Sequence, residues 1–174
     1  VLQKLSEFIT YRPIEEYVLY NGVDTNKFYP EKTNQNNVFT IGCVANFWEI
    51  KDHITLIKSV QILHEQGKEI LLKLIGTGPT LQMCKDFVLK NNLLKNVVFE
   101  KEIKHEELNS FFNQINLFVL PSYFEALGCV YLESWATNTF FVAVKHQGIS
   151  ELIPSELKDK MLVSPWDAIE LSKK

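Results

Sequence analysis

The chain has 174 residues, of which 46% are hydrophobic and 22% are charged, and its formal net charge is −3. These values fit one soluble globular domain with a substantial core, and no apolar stretch approaches the ~18 residues that would span a membrane. The negative charge argues against a nucleic-acid partner, because domains that bind phosphate backbones usually carry a basic surplus.

The cysteines and the first residues indicate the compartment. Cys43, Cys84 and Cys129 are odd in number and have no metal-binding spacing, which favours a reducing compartment. The first residues lack the charged and apolar regions of a signal peptide. We therefore expect a cytoplasmic protein, and peripheral association with the inner face of a membrane stays open. Cys129 is expected to be a small buried filler.

Residues 1–30 are predicted to be a connection, and residues 31–174 to be one domain. In the connection, Glu16–Tyr20 ends in an apolar, strand-like run. The following Asn21–Asp24, which reads Asn-Gly-Val-Asp, is typical of a turn. Residues 31–37 are polar and are expected to form a flexible loop.

From Val38 onward, predicted strands and helices alternate. Strands are predicted at Val38–Ala45, Ile70–Ile75, Asn96–Phe99, Leu117–Leu120, Phe140–Val144 and Met161–Val163. Helices are predicted from Asp52 to Gly67, at Leu81–Asn91, at His105–Gln114, from Gly128, and from Asp167. Strands separated by single helices imply right-handed crossovers. The fold class is therefore α/β, a Rossmann-like parallel sheet with helices on both faces.

The predicted functional site lies where the strand Leu117–Leu120 leads through a tight loop to the helix that begins at Gly128. The first N–H groups of a helix are unpaired and carry partial positive charge, so they favour an anion. Glu125 precedes this helix, and Glu133 lies in its second turn. Carboxylates would repel a phosphate that they touched directly. Both are better placed to accept hydrogen bonds from hydroxyl groups on either side of the phosphate. The alternative is an exposed loop glutamate plus a solvent-facing helical one.

The pattern Pro-Ser-x-x-Glu-x-x-Gly-x-x-x-x-Glu, which contains Glu125, Gly128 and Glu133, resembles the E-x7-E signature of retaining glycosyltransferases of family 4. The resemblance implies that the chain is the C-terminal half of a GT-B enzyme and that residues 1–30 are the last strand and linker of the other half. It implies that Glu125 approaches the donor sugar and that Glu133 binds the ribose. The donor diphosphate would face the backbone of Ala126, Leu127, Gly128, Cys129 and Val130.

The loop after the first strand supplies two further candidates. The family usually places Arg and Lys in this loop, five residues apart, to neutralise the donor diphosphate. Lys51 fits the second position and is, with Glu125, the catalytic candidate. Asn46 stands where Arg is usual, so one charge and a bidentate fork are lost.

Other loops are expected at the same edge of the sheet. Gly76 and Gly78, in Gly-Thr-Gly-Pro, resemble the segment that borders the nucleotide base, and Ile103 is placed against that base. The segment Gln147–Glu151 resembles the family's Gly-Gly-x-x-Glu with its first Gly replaced, and a structural turn is the preferred interpretation.

The resemblance implies a function for the whole enzyme. It would transfer a hexose-type sugar from a nucleoside-diphosphate sugar, with retention, to a glycan or lipid-linked acceptor bound by the missing N-terminal domain. The chain contains no Asp-x-Asp, the usual metal–diphosphate clamp of the other major glycosyltransferase fold. We therefore expect no metal and no cofactor, and surface polysaccharide synthesis in a bacterium is the expected context.

The sequence argues against two other functions and leaves two open. A dinucleotide-dependent oxidoreductase needs Gly-x-Gly-x-x-Gly after its first strand, but Gly76 and Gly78 follow the second strand, and Leu81 occupies the third position. A glycoside hydrolase also needs two carboxylates, but here a phosphate-binding helix start would separate them. A nucleotide-sugar epimerase of the same two-domain architecture and a non-catalytic nucleotide-binding module stay open.

Overall fold

The structure, a computed structural model, describes residue 15, residues 17–32 and residues 38–174. Within these residues, six strands form one sheet in the order β3-β2-β1-β4-β5-β6, and every neighbouring pair is parallel. The strands are β1 Phe39–Val44, β2 Ile70–Ile75, β3 Val97–Glu100, β4 Leu117–Val119, β5 Phe140–Val144 and β6 Leu162–Val163. The predicted α/β, Rossmann-like fold class is confirmed.

The helices lie around this sheet. They are α1 His53–Glu65, α2 Leu81–Lys90, α3 Leu108–Asn113, α4 Cys129–Ala136, α5 Ser155–Met161 and α6 Ala168–Ser172. The strand order reverses at β1, and right-handed crossovers then place α1 and α2 on one face of the sheet and α3, α4 and α5 on the other. Helix α6 packs against α1. No helix among the described residues is both long and apolar enough to cross a bilayer.

A row of buried aromatic rings fixes the position of α4. Phe112 of α3 contacts Phe118 of β4 with ring centroids 5.4 Å apart, and Phe118 contacts Tyr131 of α4 at 5.9 Å. Tyr131 in turn lies 5.0 Å from Phe141 of β5. The Tyr131 hydroxyl donates a hydrogen bond of 2.7 Å to the carbonyl of Leu120, the residue after β4. The start of α4 is thereby held against the carboxyl end of β4.

One predicted element differs from the structure, one lies partly outside the described residues, and one helix was not predicted. The described residues 17–20 have irregular backbone, so the strand-like run at Glu16–Tyr20 is not a strand, and Glu16 itself lies outside the described residues. Of the predicted loop, residues 33–37 also lie outside them. Helix Ser155–Met161 was not predicted, because it is seven residues long and buries a single side chain, Met161.

The end of the predicted connection belongs to the core. Phe28 is 3% exposed and packs on Phe112 with ring centroids 6.3 Å apart. The Tyr29 amide donates a 2.9 Å hydrogen bond to the side-chain oxygen of Asn109 on α3. Residues 28 and 29 are thus packed against this domain, and the boundary at residue 30 stays a prediction.

The Tyr131 hydroxyl gives a test of this packing. Replacing Tyr131 by Phe removes the hydrogen bond to a buried carbonyl without opening a cavity, so the free energy of unfolding should fall by about 1–2 kcal/mol. Urea denaturation measures this. Tyr29→Phe, at an exposed position, is the control. Equal stability of the two variants would contradict the role given to the Tyr131 hydroxyl.

Candidate functional site

Helix α4 begins at the carboxyl edge of the sheet with a glycine that the geometry requires. Gly128 is the N-cap, with φ of +71°. A Cβ atom there would lie 2.7 Å from the ring of Tyr131 and 3.1 Å from Cγ of Glu125. The left-handed backbone and the lack of space both exclude a side chain. The Tyr131 N–H donates to the Gly128 carbonyl at 3.0 Å, whereas the N–H groups of Cys129 and Val130 precede the first hydrogen bond of the helix and can face a ligand.

Lys51 and Glu125 form an ion pair beside this helix start. Nζ of Lys51 donates a hydrogen bond to Oε2 of Glu125 across 74 positions of sequence. The two side chains are 21% and 17% exposed, so the pair is largely shielded from water. The sequence places both residues at the site but does not predict their contact. Solvent therefore screens this pair less than it would screen a pair on the surface.

Gly76 and Gly78, which are predicted to border the base, allow two loops to touch. Gly76 and Gly78 have φ values of +139° and +150°. A Cβ on Gly76 would overlap the carbonyl oxygen of Ala45, and one on Gly78 would lie 2.6 Å from that of Phe47. The Phe47 amide donates a 2.8 Å hydrogen bond to the carbonyl of Thr77. This contact holds the loops after β1 and β2 together, and the place of the two glycines beside a base stays a prediction.

The remaining loop candidates lie around this contact. The Thr77 hydroxyl donates a 2.6 Å hydrogen bond to Oε1 of Glu102, which joins the loops after β2 and β3. Ile103 is half-buried and packs against the core. Asn46 is exposed in the loop after β1. No sequence pattern indicates that Thr77 and Glu102 pair.

Glu133 lies largely buried on α4. Its side chain is 13% exposed, and Oε1 lies 3.2 Å from Nε2 of His105. His105 is 57% exposed and packs its ring edge-on to Phe28 at 5.3 Å. Glu133 is therefore not a solvent-facing helical residue. Glu125, whose side chain is also shielded, is not an exposed loop glutamate. His105 was not among the predicted site residues.

The turn after β5 holds the loop that carries Glu125. Oε1 of Gln147 accepts a 2.8 Å hydrogen bond from the Glu125 amide, and the Gly148 amide donates a 3.3 Å hydrogen bond to the Glu125 carbonyl. Residues Gly148–Glu151 form a 3-10 turn, as the preferred interpretation of this segment predicts. The sequence analysis did not predict that Gln147 contacts Glu125.

The N-terminal segment also reaches the site. The side-chain Nδ2 of Asn21 donates to Sγ of Cys129 at 3.6 Å, and the Tyr20 hydroxyl donates a 2.6 Å hydrogen bond to Oε2 of Glu151. The bond to Glu151 raises the pKa of Tyr20. The expectation that Cys129 is a buried filler is wrong, because it is the first residue of α4 and is exposed at the open edge of the sheet.

A cavity of about 380 Å³ lies near the Lys51 loop, between α1 and α2. Trp48, Tyr123 and Trp166 are among its lining residues, together with the buried His53. Burial lowers the pKa of His53 to about 4, so its ring is neutral at pH 7. Among the described residues, no group of three or more His, Cys, Asp and Glu side chains is arranged to hold a metal ion.

These features bring positive and negative groups together at one edge of the sheet. A lysine and a helix start can attract an anion, and two shielded carboxylates can accept hydrogen bonds from hydroxyls on either side of it. Of the sequence-predicted residues, Lys51, Glu125 and Gly128 are brought into direct proximity.

Among known sequences, the chain is similar to the putative glycosyltransferase EpsF of Bacillus subtilis (strain 168). The two are 33% identical over 134 residues, which are 70% of this chain and 34% of EpsF. The chain thus spans about a third of the length of this relative.

Comparison with solved structures gives the same fold. The C-terminal domain of the glycosyl transferase group 1 family protein LpcC from Francisella tularensis superposes with a TM-score of 0.77 at 22% identity, covering 87% of this chain and 85% of that domain. Anabaena Alr3699/HepE, solved in complex with UDP and glucose, gives a TM-score of 0.79 at 20% identity, covering 90% of this chain and 45% of HepE.

The family model described as "Glycosyl transferases group 1" matches residues 24–174, which include every site candidate named above. This chain belongs to the group 1 glycosyltransferases.

Proposed function

We propose that this chain is the donor-binding domain of a retaining, metal-independent glycosyltransferase. The complete enzyme would transfer a hexose-type sugar from a nucleoside-diphosphate sugar to a glycan or lipid-linked acceptor. The observation that carries the proposal is the Lys51–Glu125 ion pair at the start of α4, with Glu133 shielded in the next turn of the same helix.

A diphosphate is the anion that suits this edge of the sheet. The ammonium of Lys51 and the N–H groups at residues 127–130 supply positive charge on one side of the loop. A diphosphate oxygen can share the Lys51 ammonium with Glu125, because an ammonium has three donors. Asn46 can add an amide donor but no charge, so we expect weaker binding of the diphosphate than an Arg would give.

The two carboxylates suit the two ends of such a donor. Glu133 has one oxygen near His105, which leaves its second oxygen to accept from ribose hydroxyls. Glu125 lies on the loop before α4 and would orient the sugar. The loops that contain Gly76, Gly78 and Ile103 would border the base, and Thr77 and Glu102 join these loops.

Retention without a protein nucleophile is the mechanism that this arrangement supports. The acceptor would attack from the face that the diphosphate leaves, and a phosphate oxygen would take the acceptor's proton. Charge then builds on the diphosphate, where Lys51 and the start of α4 already provide donors. The carboxylate of Glu125 is paired with Lys51, which lowers its reactivity toward the sugar ring and suits it to stabilise positive charge there.

The acceptor contacts would lie on a second domain. This chain covers about a third of EpsF, so most of a protein of that size lies outside it. We propose that such a domain binds the glycan or lipid-linked acceptor, and that the enzyme works in the cytoplasm on bacterial surface polysaccharide. A bacterial relative such as EpsF is consistent with this context.

A thermal-shift screen tests the proposed function. UDP, ADP, GDP and their glucose conjugates are added separately to the purified chain. At about 100 times Kd, a bound ligand adds roughly 2.7 kcal/mol of stability, which raises Tm by roughly 5–10 °C for a domain of this size. We expect one nucleotide series to do so, and we expect no sugar transfer by the chain alone. No shift with any compound, or formation of a glycosylated product, would contradict the proposal.

The two glutamates should separate by role. Glu133→Ala should weaken binding of the nucleoside diphosphate itself by about 1–3 kcal/mol, because shielded hydrogen bonds to the ribose are lost. Glu125→Ala should leave that ligand nearly unaffected and weaken only the sugar conjugate. Isothermal titration measures both, and Glu69→Ala, exposed before β2, is the control. Equal losses for both ligands in both site variants would reject these roles.

Lys51 should act on the chemical step in the longer enzyme. Lys51→Ala should reduce the rate constant for transfer by about 10²–10³-fold, the scale of losing one donor to the developing charge. Single-turnover kinetics measure it, with exposed Lys58→Ala as the control. Added EDTA should change little, and Asn46→Arg should raise the rate. A trapped glycosyl ester on Glu125, or loss of activity with EDTA, would overturn this mechanism.

A further inference from the structure

We propose that Gln147 is a positioning residue for Glu125: its side-chain amide fixes the backbone of Glu125 so that the carboxylate meets both Lys51 and the donor sugar. The inference rests on the proposed function, because Glu125 is given the sugar. Gln147 stands where the Gly-Gly-x-x-Glu pattern has its first Gly, so the pattern itself gives no side chain, and no role, at this position.

Both backbone groups of Glu125 are held by consecutive residues. The Glu125 N–H donates to Oε1 of Gln147 at 2.8 Å, and the Glu125 carbonyl accepts from the N–H of Gly148 at 3.3 Å. Two hydrogen bonds on either side of one Cα restrict both backbone dihedrals of Glu125. The direction of its side chain is then set by the backbone and one rotamer choice.

The turn that supplies these bonds cannot move away easily. A Cβ on Gly148 would overlap the carbonyl oxygen of Ala126, so the two backbones are in close contact. Ile149, the next residue, is fully buried. The Gln147 carbonyl accepts hydrogen bonds from both the amide and the hydroxyl of Ser150, at 2.9 and 2.6 Å. Gln147 is therefore fixed before any ligand arrives.

The larger consequence is expected at the sugar end of the donor, because Glu125 would orient the sugar and only part of the diphosphate site lies on its loop. Glu125 belongs to the loop, whereas the N–H groups of residues 129 and 130 belong to α4, which Tyr131 anchors to Leu120. Loss of the Gln147 amide would free the dihedrals of Glu125 while leaving the helix start in place. Binding of the nucleotide and binding of the sugar should therefore respond differently.

Isothermal titration with UDP and with UDP-glucose measures this difference in the purified chain. In Gln147→Leu and Gln147→Gly, we expect the affinity for UDP to change less than about twofold, and the UDP-glucose affinity relative to UDP to fall about threefold to tenfold, the size of one lost hydrogen bond. Gln147→Glu keeps an acceptor oxygen and should restore most of the ratio. Gln66→Leu, exposed at the end of α1, is the control.

Hydrogen exchange of the Glu125 amide is the second measurement and needs no ligand. Gln147→Leu should accelerate this exchange at least about tenfold, since the acceptor is removed, and Gln147→Glu should not. An unchanged affinity ratio, a parallel loss of UDP and UDP-glucose, or an unchanged exchange rate would overturn the role of Gln147. If the unmodified chain binds neither UDP nor UDP-glucose, the proposed function fails with these probes, and the exchange rate still decides whether Gln147 fixes Glu125.

Discussion

The ion pair between Lys51 and Glu125 is the contact on which the arrangement of the site depends. The two residues follow β1 and β4, which are neighbours in the sheet although 74 positions separate the paired side chains. At this point the strand order reverses, so the loops after β1 and β4 turn toward opposite faces and leave a crevice between them. The ion pair spans that crevice, and the start of α4 lies at its side.

The rest of the site can be understood as support for these two loops. Backbone contacts at Gly76 and Gly78 press the loop after β1 against the loop after β2. Gln147 and Gly148 hold the loop after β4 from its other side. The aromatic row ending at Tyr131 sets the position of α4 relative to the sheet. Together these contacts hold the charged groups in one geometry before a ligand binds.

The sequence predicts those features that local patterns determine. The runs at Ile70–Ile75 and Phe140–Val144, which are apolar except for Lys73, match β2 and β5 without error, since a strand in the middle of a parallel sheet is covered on both faces. Asp52 is the N-cap of α1 and accepts from the Thr55 amide, as its position before the periodic run indicates. Gly128 is correctly placed before α4.

The sequence does not predict contacts between side chains that are far apart in the chain. His105 meets Glu133 across 28 positions, and Gln147 meets the Glu125 amide across 22. No periodicity records such pairs, because they depend on how separate loops meet in three dimensions. A local pattern can also predict an element that does not form. The apolar run at Tyr17–Tyr20 has strand propensity but no neighbouring strand among the described residues, and its backbone is irregular. Asn46 is exposed in the loop after β1, and the effect of its amide in place of a guanidinium stays a prediction.

Mapping the bound nucleotide residue by residue tests the central claim, that the start of α4 and the loop after β1 together hold a nucleoside diphosphate. A titration of the ¹⁵N-labelled chain with UDP, followed by two-dimensional NMR, reports every backbone amide at once. The account predicts that the largest shifts fall on residues 127–130 and on the amides beside Lys51. Shifts concentrated instead around the cavity at Trp48 and Trp166, with residues 127–130 unchanged, would contradict it.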